Sequence, residues 1–160
     1  MRQRILALMA FGWGVLPSIL MADPSRDLVV VASGVTSGIN DKYLAVVKNR
    51  AAFLRVWARH SRPFTPAPQA PEVDFIKDRV LVAFAGKQPT GGYRLEVAGM
   101  KVIHAQRVVD LTLIKPGKGC MVTEAATQPF LIASLAKTKE PVVPRLKVKT
   151  KDCDSSGSLS

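Results

Sequence analysis

The stretch Arg79-Val80-Leu81-Val82-Ala83-Phe84-Ala85-Gly86-Lys87-Gln88-Pro89-Thr90-Gly91-Gly92-Tyr93-Arg94-Leu95-Glu96-Val97-Ala98 decides the fold class. Residues 80–85 are apolar without a break, as a central strand requires. Residues 93–97 alternate Tyr93, Leu95 and Val97 against Arg94 and Glu96, the period of a half-buried strand. Between them lies a glycine-rich turn in which Pro89 presets one φ angle and Gly91 or Gly92 supplies a positive one. Such a turn is stiff and bares its backbone. It reads equally as an ordinary hairpin connection or as a recognition edge that loses little entropy on binding.

Working outward, residues 27–36 and 42–48 are apolar and β-branched and predict two earlier strands, separated by a turn at Ser37-Gly38-Ile39-Asn40. Asn49 is a good helix N-cap. Residues 50–60 carry Phe53, Val56, Trp57 and His60 at helical spacing, with Trp57 expected in the core. Pro63, Pro66, Pro68 and Pro71 then enforce an extended loop. Downstream, residues 101–105, 106–114, 130–135 and 142–148 read as strands, and 120–123 as a short one; Lys115-Pro116-Gly117-Lys118-Gly119 is a turn. Many short strands with frequent turn signals predict a mainly β chain: an antiparallel β-sandwich or open barrel, with the 50–60 helix packed on it or plugging one end.

Arg2 and Arg4, the apolar run 5–20 and the small residue Ala22 ahead of a polar segment have the form of a signal peptide over residues 1–22. The apolar run is short and interrupted for a bilayer span, and no Cys follows it to carry a lipid. The expected organisation is one β domain over 23–150 and a Ser- and Gly-rich disordered tail over 151–160, in a protein exported to the periplasm or secreted. In an oxidising compartment Cys120 and Cys153 either form a disulfide or stay as free thiols.

The net charge of +11 permits an anionic partner. Arg145, Lys147, Lys149 and Lys151 alternate with Leu146, Val148 and Thr150, which reads first as a solvated edge strand and second as a polyanion site. The chemistry needed for an enzyme is missing from the pattern. His60 and His104 stand in unrelated contexts, no nucleophile elbow occurs, the carboxylates are scattered, and no metal-ligand spacing is present. The glycine-rich turn precedes a strand, whereas a phosphate loop precedes a helix. A non-enzymatic protein without cofactor or metal is expected, with no specific nucleic-acid partner and no membrane span in the mature chain; its oligomeric state is open.

Val73-Asp74-Phe75, the apolar strand 80–85 and the Gly86–Tyr93 string resemble the PrcB C-terminal-domain family. Phe53, Trp57 and His60 upstream, with Pro116-Gly117 and Gln128-Pro129-Phe130 downstream, extend the resemblance over residues 33–135. Members are exported or lipid-anchored envelope proteins, and the namesake associates with a surface protease complex. The resemblance therefore implies a peptidase as partner, stabilised or regulated by this chain. The strings Pro89-Thr90-Gly91-Gly92-Tyr93, Gly117-Lys118-Gly119-Cys120 and Gln128-Pro129-Phe130 are also similar, in order, to the three inhibitory loops of chagasin-like inhibitors of cysteine proteases. This chain departs from them at Gly91, Cys120, Gln128 and Phe130. Both resemblances place the binding residues at Gln88, Pro89, Thr90, Gly91, Gly92, Tyr93, Gly117, Lys118, Gly119, Gln128, Pro129 and Phe130, and require these loops to meet at one end of the fold.

Overall fold

A computed structural model describes residues 28–153. The expected signal peptide therefore lies outside the described residues, as does the tail beyond Cys153.

Seven strands and one helix follow in the order β1 (Leu28–Gly34), β2 (Tyr43–Val47), α1 (Arg50–His60), β3 (Asp78–Phe84), β4 (Arg94–Ile103), β5 (Gln106–Pro116), β6 (Phe130–Ala136) and β7 (Val142–Lys151). One sheet has the order β1-β6-β3-β2 and the other β4-β5-β7. The two stack as a β-sandwich, and α1 covers the outer face of the four-stranded sheet.

This three-layer arrangement explains the unbroken apolar run in β3. Leu81, Ala83 and Ala85 point between the sheets, where they meet Leu95, Leu111, Leu113, Leu131 and Leu135. Val80, Val82 and Phe84 point the other way, against Phe53, Val56 and Trp57 of α1. Alternation is lost because both faces are dry. β4 keeps it over residues 94–96, and β5 in its middle, where Asp110 and Thr112 alternate with the buried Val109, Leu111 and Leu113; Val108 and Ile114 are buried on the other face.

The helix bounds follow from local chemistry. Asn49 Oδ1 accepts from Ala52 N–H at 2.9 Å and so satisfies one orphan donor of the first turn. At the other end Gly38 N–H donates to the carbonyl of His60 at 2.9 Å, and a Cβ at position 38 would collide with the carbonyl of Arg59. Trp57 Nε1 donates to the carbonyl of Pro68, which ties the proline-rich loop across the helix.

Several expectations need correction. The turn 86–92 is no hairpin, because β3 and β4 lie in different sheets; it is a crossover from one layer to the other. Gly86 and Gly92 hold the positive φ angles there, at 79° and 81°. The pairing of β5 with β7 is parallel, because the chain crosses to the other sheet to form β6 before returning. Residues 120–123 form a loop. β7 extends to Lys151 and Cys153 is bonded, so the domain continues past the boundary expected at 151.

Candidate docking rim

Strand directions bring four chain segments to one end of the sandwich. β1, β3 and β5 run toward this end, β2, β4 and β6 start from it, and β7 finishes there. The segments at this end are 35–42, 85–93, 117–129 and 151–153. The loops 88–93, 117–119 and 128–130, far apart in sequence, are thus brought together.

They are also stitched. Gln88 and Thr127 exchange both backbone hydrogen bonds, at 2.7 and 3.0 Å. Thr127 Oγ1 donates to the carbonyl of Thr90, and Gly91 N–H to that of Thr123, each at 2.8 Å. Lys87 N–H donates to the carbonyl of Asn40 and Gln128 N–H to that of Val35. On the other side Gly117 N–H donates to the carbonyl of Lys151 and Cys153 N–H to that of Lys118. Cys120 and Cys153 are joined by a disulfide with their Cα atoms 4.8 Å apart, within the range that geometry demands. The rim is therefore held by backbone bonds and one covalent bridge, which suits a surface meant to lose little entropy on contact.

Not every expected site residue faces outward. Pro89, Gly92, Lys118 and Gly119 are exposed, and Gln88, Thr90, Gly117 and Gln128 are half-buried. Gly91, Tyr93, Pro129 and Phe130 are buried. Tyr93 packs in the cluster between the sheets, and the Phe130 ring lies 4.2 Å from that of His60. These four build the rim from beneath and are removed from its contact surface. The physical reason is strand phase: Tyr93 immediately precedes β4 on its side facing the other sheet, and Phe130 opens β6 on its side facing the helix.

The exposed apolar groups of the rim are ones the sequence reading passed over. Met121 is fully exposed with its neighbour Val122 also exposed, and Val35, exposed as well, lies in another connection of the same end. Met121 and Val122 border a shallow hollow of about 170 Å³ with Pro116, Arg94 and the disulfide. Their signal was present as two apolar residues directly after Cys120, but it was read as strand propensity.

His60 Nδ1 lies 3.0 Å from Ser37 Oγ, which also accepts from Ile39 N–H. The imidazole is 2% exposed and ringed by Trp57, Phe64, Phe84 and Phe130. Burial pushes its pKa below the ordinary value. This histidine fills core space and ties the 37–39 turn to the helix end. Among the described residues no group of three or more His, Cys, Asp or Glu is placed to hold a metal ion.

The outer face of the β4-β5-β7 sheet is basic. In register across it lie Arg94 and Lys101 of β4, Asp110 of β5, and Arg145, Lys147, Lys149 and Lys151 of β7. Lys101 Nζ meets Asp110 at 2.9 Å and Arg94 meets Glu96 at 2.6 Å. The Lys101 hydrogen bond holds the Asp110 carboxyl below its ordinary pKa, with the charges of Lys101, Lys147 and Arg145 adding to it. β7 is the edge strand expected for the alternating basic tail.

Residues 79–136, from β3 through β6, match the family model described as PrcB C-terminal. The match includes both the 86–92 and 117–129 connections of the rim and leaves out β1, β2, α1 and β7, so the wider resemblance drawn from Phe53, Trp57 and His60 lies outside it. The curated proteins give no match, and neither do the solved structures. No helix among the described residues is long and apolar enough to cross a membrane.

Proposed function

We propose that this chain, whose β3-to-β6 span matches the PrcB C-terminal family model, is an exported protein-binding domain without a reaction of its own. It docks the loop rim on a peptidase and stabilises or regulates that enzyme. One observation carries the reading: four separate connections converge on a single stitched end that leaves Met121, Val122 and Val35 exposed. Exposed apolar groups on a pre-organised surface are what a protein interface uses. The family match supports the class of partner, and the disulfide is compatible with an exported protein.

The test uses the full chain immobilised in envelope extract, with peptidase activity and mass spectrometry as readouts. The wild-type chain should retain a peptidase, and Met121→Glu with Lys118→Glu should not. Retention of no peptidase, or equal retention by the variant, would refute the docking role of the rim.

Direct inhibition of papain-like enzymes is the alternative reading, supported by the same clustering of three loops at one end. It predicts inhibition by the isolated chain and its loss in the same variant. A polyanion-binding role has its own support in the exposed row Arg145, Lys147, Lys149 and Lys151. Heparin retention that falls steeply with salt, and falls again when this row is changed to Ser, is its signature.

A further inference from the structure

We infer that the groove between β2 and α1 is a second binding site, which takes an extended acidic peptide as an added strand on β2. The site is separate from the rim and lies outside the span that matches the family model.

β2 is the edge of its sheet and among the described residues pairs with β3 alone. In an antiparallel ladder every second residue of such a strand turns both its N–H and its C=O away from the partner. These groups are a template for another strand. Proteins usually blunt an edge with a proline, a bulge or an inward charge. Tyr43–Val47 has none of these.

The helix makes the second wall. Only two residues separate β2 from α1, and the bond from Gly38 to His60 brings the helix end back beside the start of β2, so α1 runs antiparallel along it. The groove between them has a cavity volume of about 420 Å³. It exists because small side chains face each other there: Ala45 on the strand and Ala52 on the helix, with Val56 closing the floor. Larger residues at those places would fill it.

Charge selects the occupant. Arg55 and Arg59 line the helical wall and Lys48 one end, all exposed. None of the three has an ion-pair partner among the described residues, and residues 43–60 contain no carboxylate. Arg55 and Arg59 are one turn apart, a rise of about 6 Å. Side chains at i and i+2 of an incoming strand are spaced by about 6.6 Å. Two acidic residues in that pattern would lay their methylenes over Ala45 and Ala52 and reach both guanidinium groups.

The probe is an acetylated, amidated nine-residue peptide of alternating Val and Glu, titrated into the full chain and followed by amide chemical shifts. Shifts centred on residues 43–48 and 52–59 are expected. Affinity should fall roughly tenfold or more in Arg55→Gln with Arg59→Gln. It should also be lost when alternate amides of the peptide are N-methylated, a change that leaves the protein untouched. Lys118→Glu on the rim should leave binding unchanged, so failure of the rim reading and failure of this one remain distinct. Absence of binding, shifts centred on the basic face at 145–151, or equal binding of the N-methylated peptide would each overturn the inference.

Discussion

Gly91 shows how one missing side chain holds two connections together. Its N–H donates to the carbonyl of Thr123, and a Cβ built on it would stand 2.5 Å from Thr123 Oγ1. Gly91→Ala should therefore cost about 1–2 kcal/mol through overpacking, and Thr123→Ala should return most of that loss in the double variant. Urea midpoints of the four chains close this cycle; additive losses would mean that the two residues do not press on each other. His60 works at the same scale through pH. Burial keeps its folded pKa below the ordinary value. The unfolded imidazole protonates near pH 6.5, while the folded one stays neutral until lower pH. Below about pH 6.5 the unfolded state thus binds more protons, so stability falls as pH drops and levels off once the folded imidazole also protonates. Above that window the group adds no slope. Between pH 7.5 and 5.5 wild-type stability should decline by up to about 1.4 kcal/mol per unit, and His60→Gln, which keeps a polar partner for Ser37, should flatten the curve. An equally steep variant would assign the slope elsewhere.

Among the elements, the helix and the central strand were legible in the sequence and the β4–β5 hairpin was not. α1 has the bounds that Asn49 and the Phe53, Val56, Trp57, His60 stripe predict, because capping and periodicity are local signals. The unbroken run in β3 announced a central strand, although it did not say that a helix covers one face and a sheet the other. Residues 101–105 and 106–114 read as two strands with no turn marked between them, because the turn carries no glycine, and 101–103 turn out to continue the strand that begins at Arg94. His104 and Ala105 occupy positive φ angles of 47° and 57°, a conformation that L-residues adopt at a cost. Cross-strand pairing from Ile103↔Gln106 onward overrides the local preference. The same reasoning explains why the hairpin reading of 86–92 fails: a Pro/Gly turn says that the chain reverses, not whether the next strand joins the same sheet. Replacing His104-Ala105 by Asn-Gly should stabilise the domain by about 1–2 kcal/mol, visible as a raised urea midpoint with unchanged slope. A lowered midpoint would show that the His104 or Ala105 side chain contributes more than its backbone strain.

For the whole molecule the question is what keeps the rim in shape when the core is remote from it. Neither Cys120 nor Cys153 belongs to the two buried clusters, and the bridge spans 33 residues from the β5–β6 connection to the end of β7. Closing a loop of that length stabilises by about 3–4 kcal/mol in the chain-entropy view. That is a large share of a domain's usual margin but less than the whole of it. Cys120→Ser with Cys153→Ser should therefore lower the urea midpoint yet leave a folded sandwich, since β3 and β6 remain packed on both faces. The loss should concentrate where the bridge acts. The amides of Gly117 and of residue 153, which donate to the carbonyls of Lys151 and Lys118, should exchange much faster, while those of β3 quicken only in step with the loss of global stability. Binding at the rim should weaken with them, because Met121 and Val122 hang on the chain segment that the bridge anchors. A bridge-free chain with unaltered exchange at Gly117 and Cys153 would mean that the backbone bonds alone fix this end. The preorganisation argued for the rim would then rest on Gly86, Gly92 and the Gln88–Thr127 bridge, and not on the cysteines.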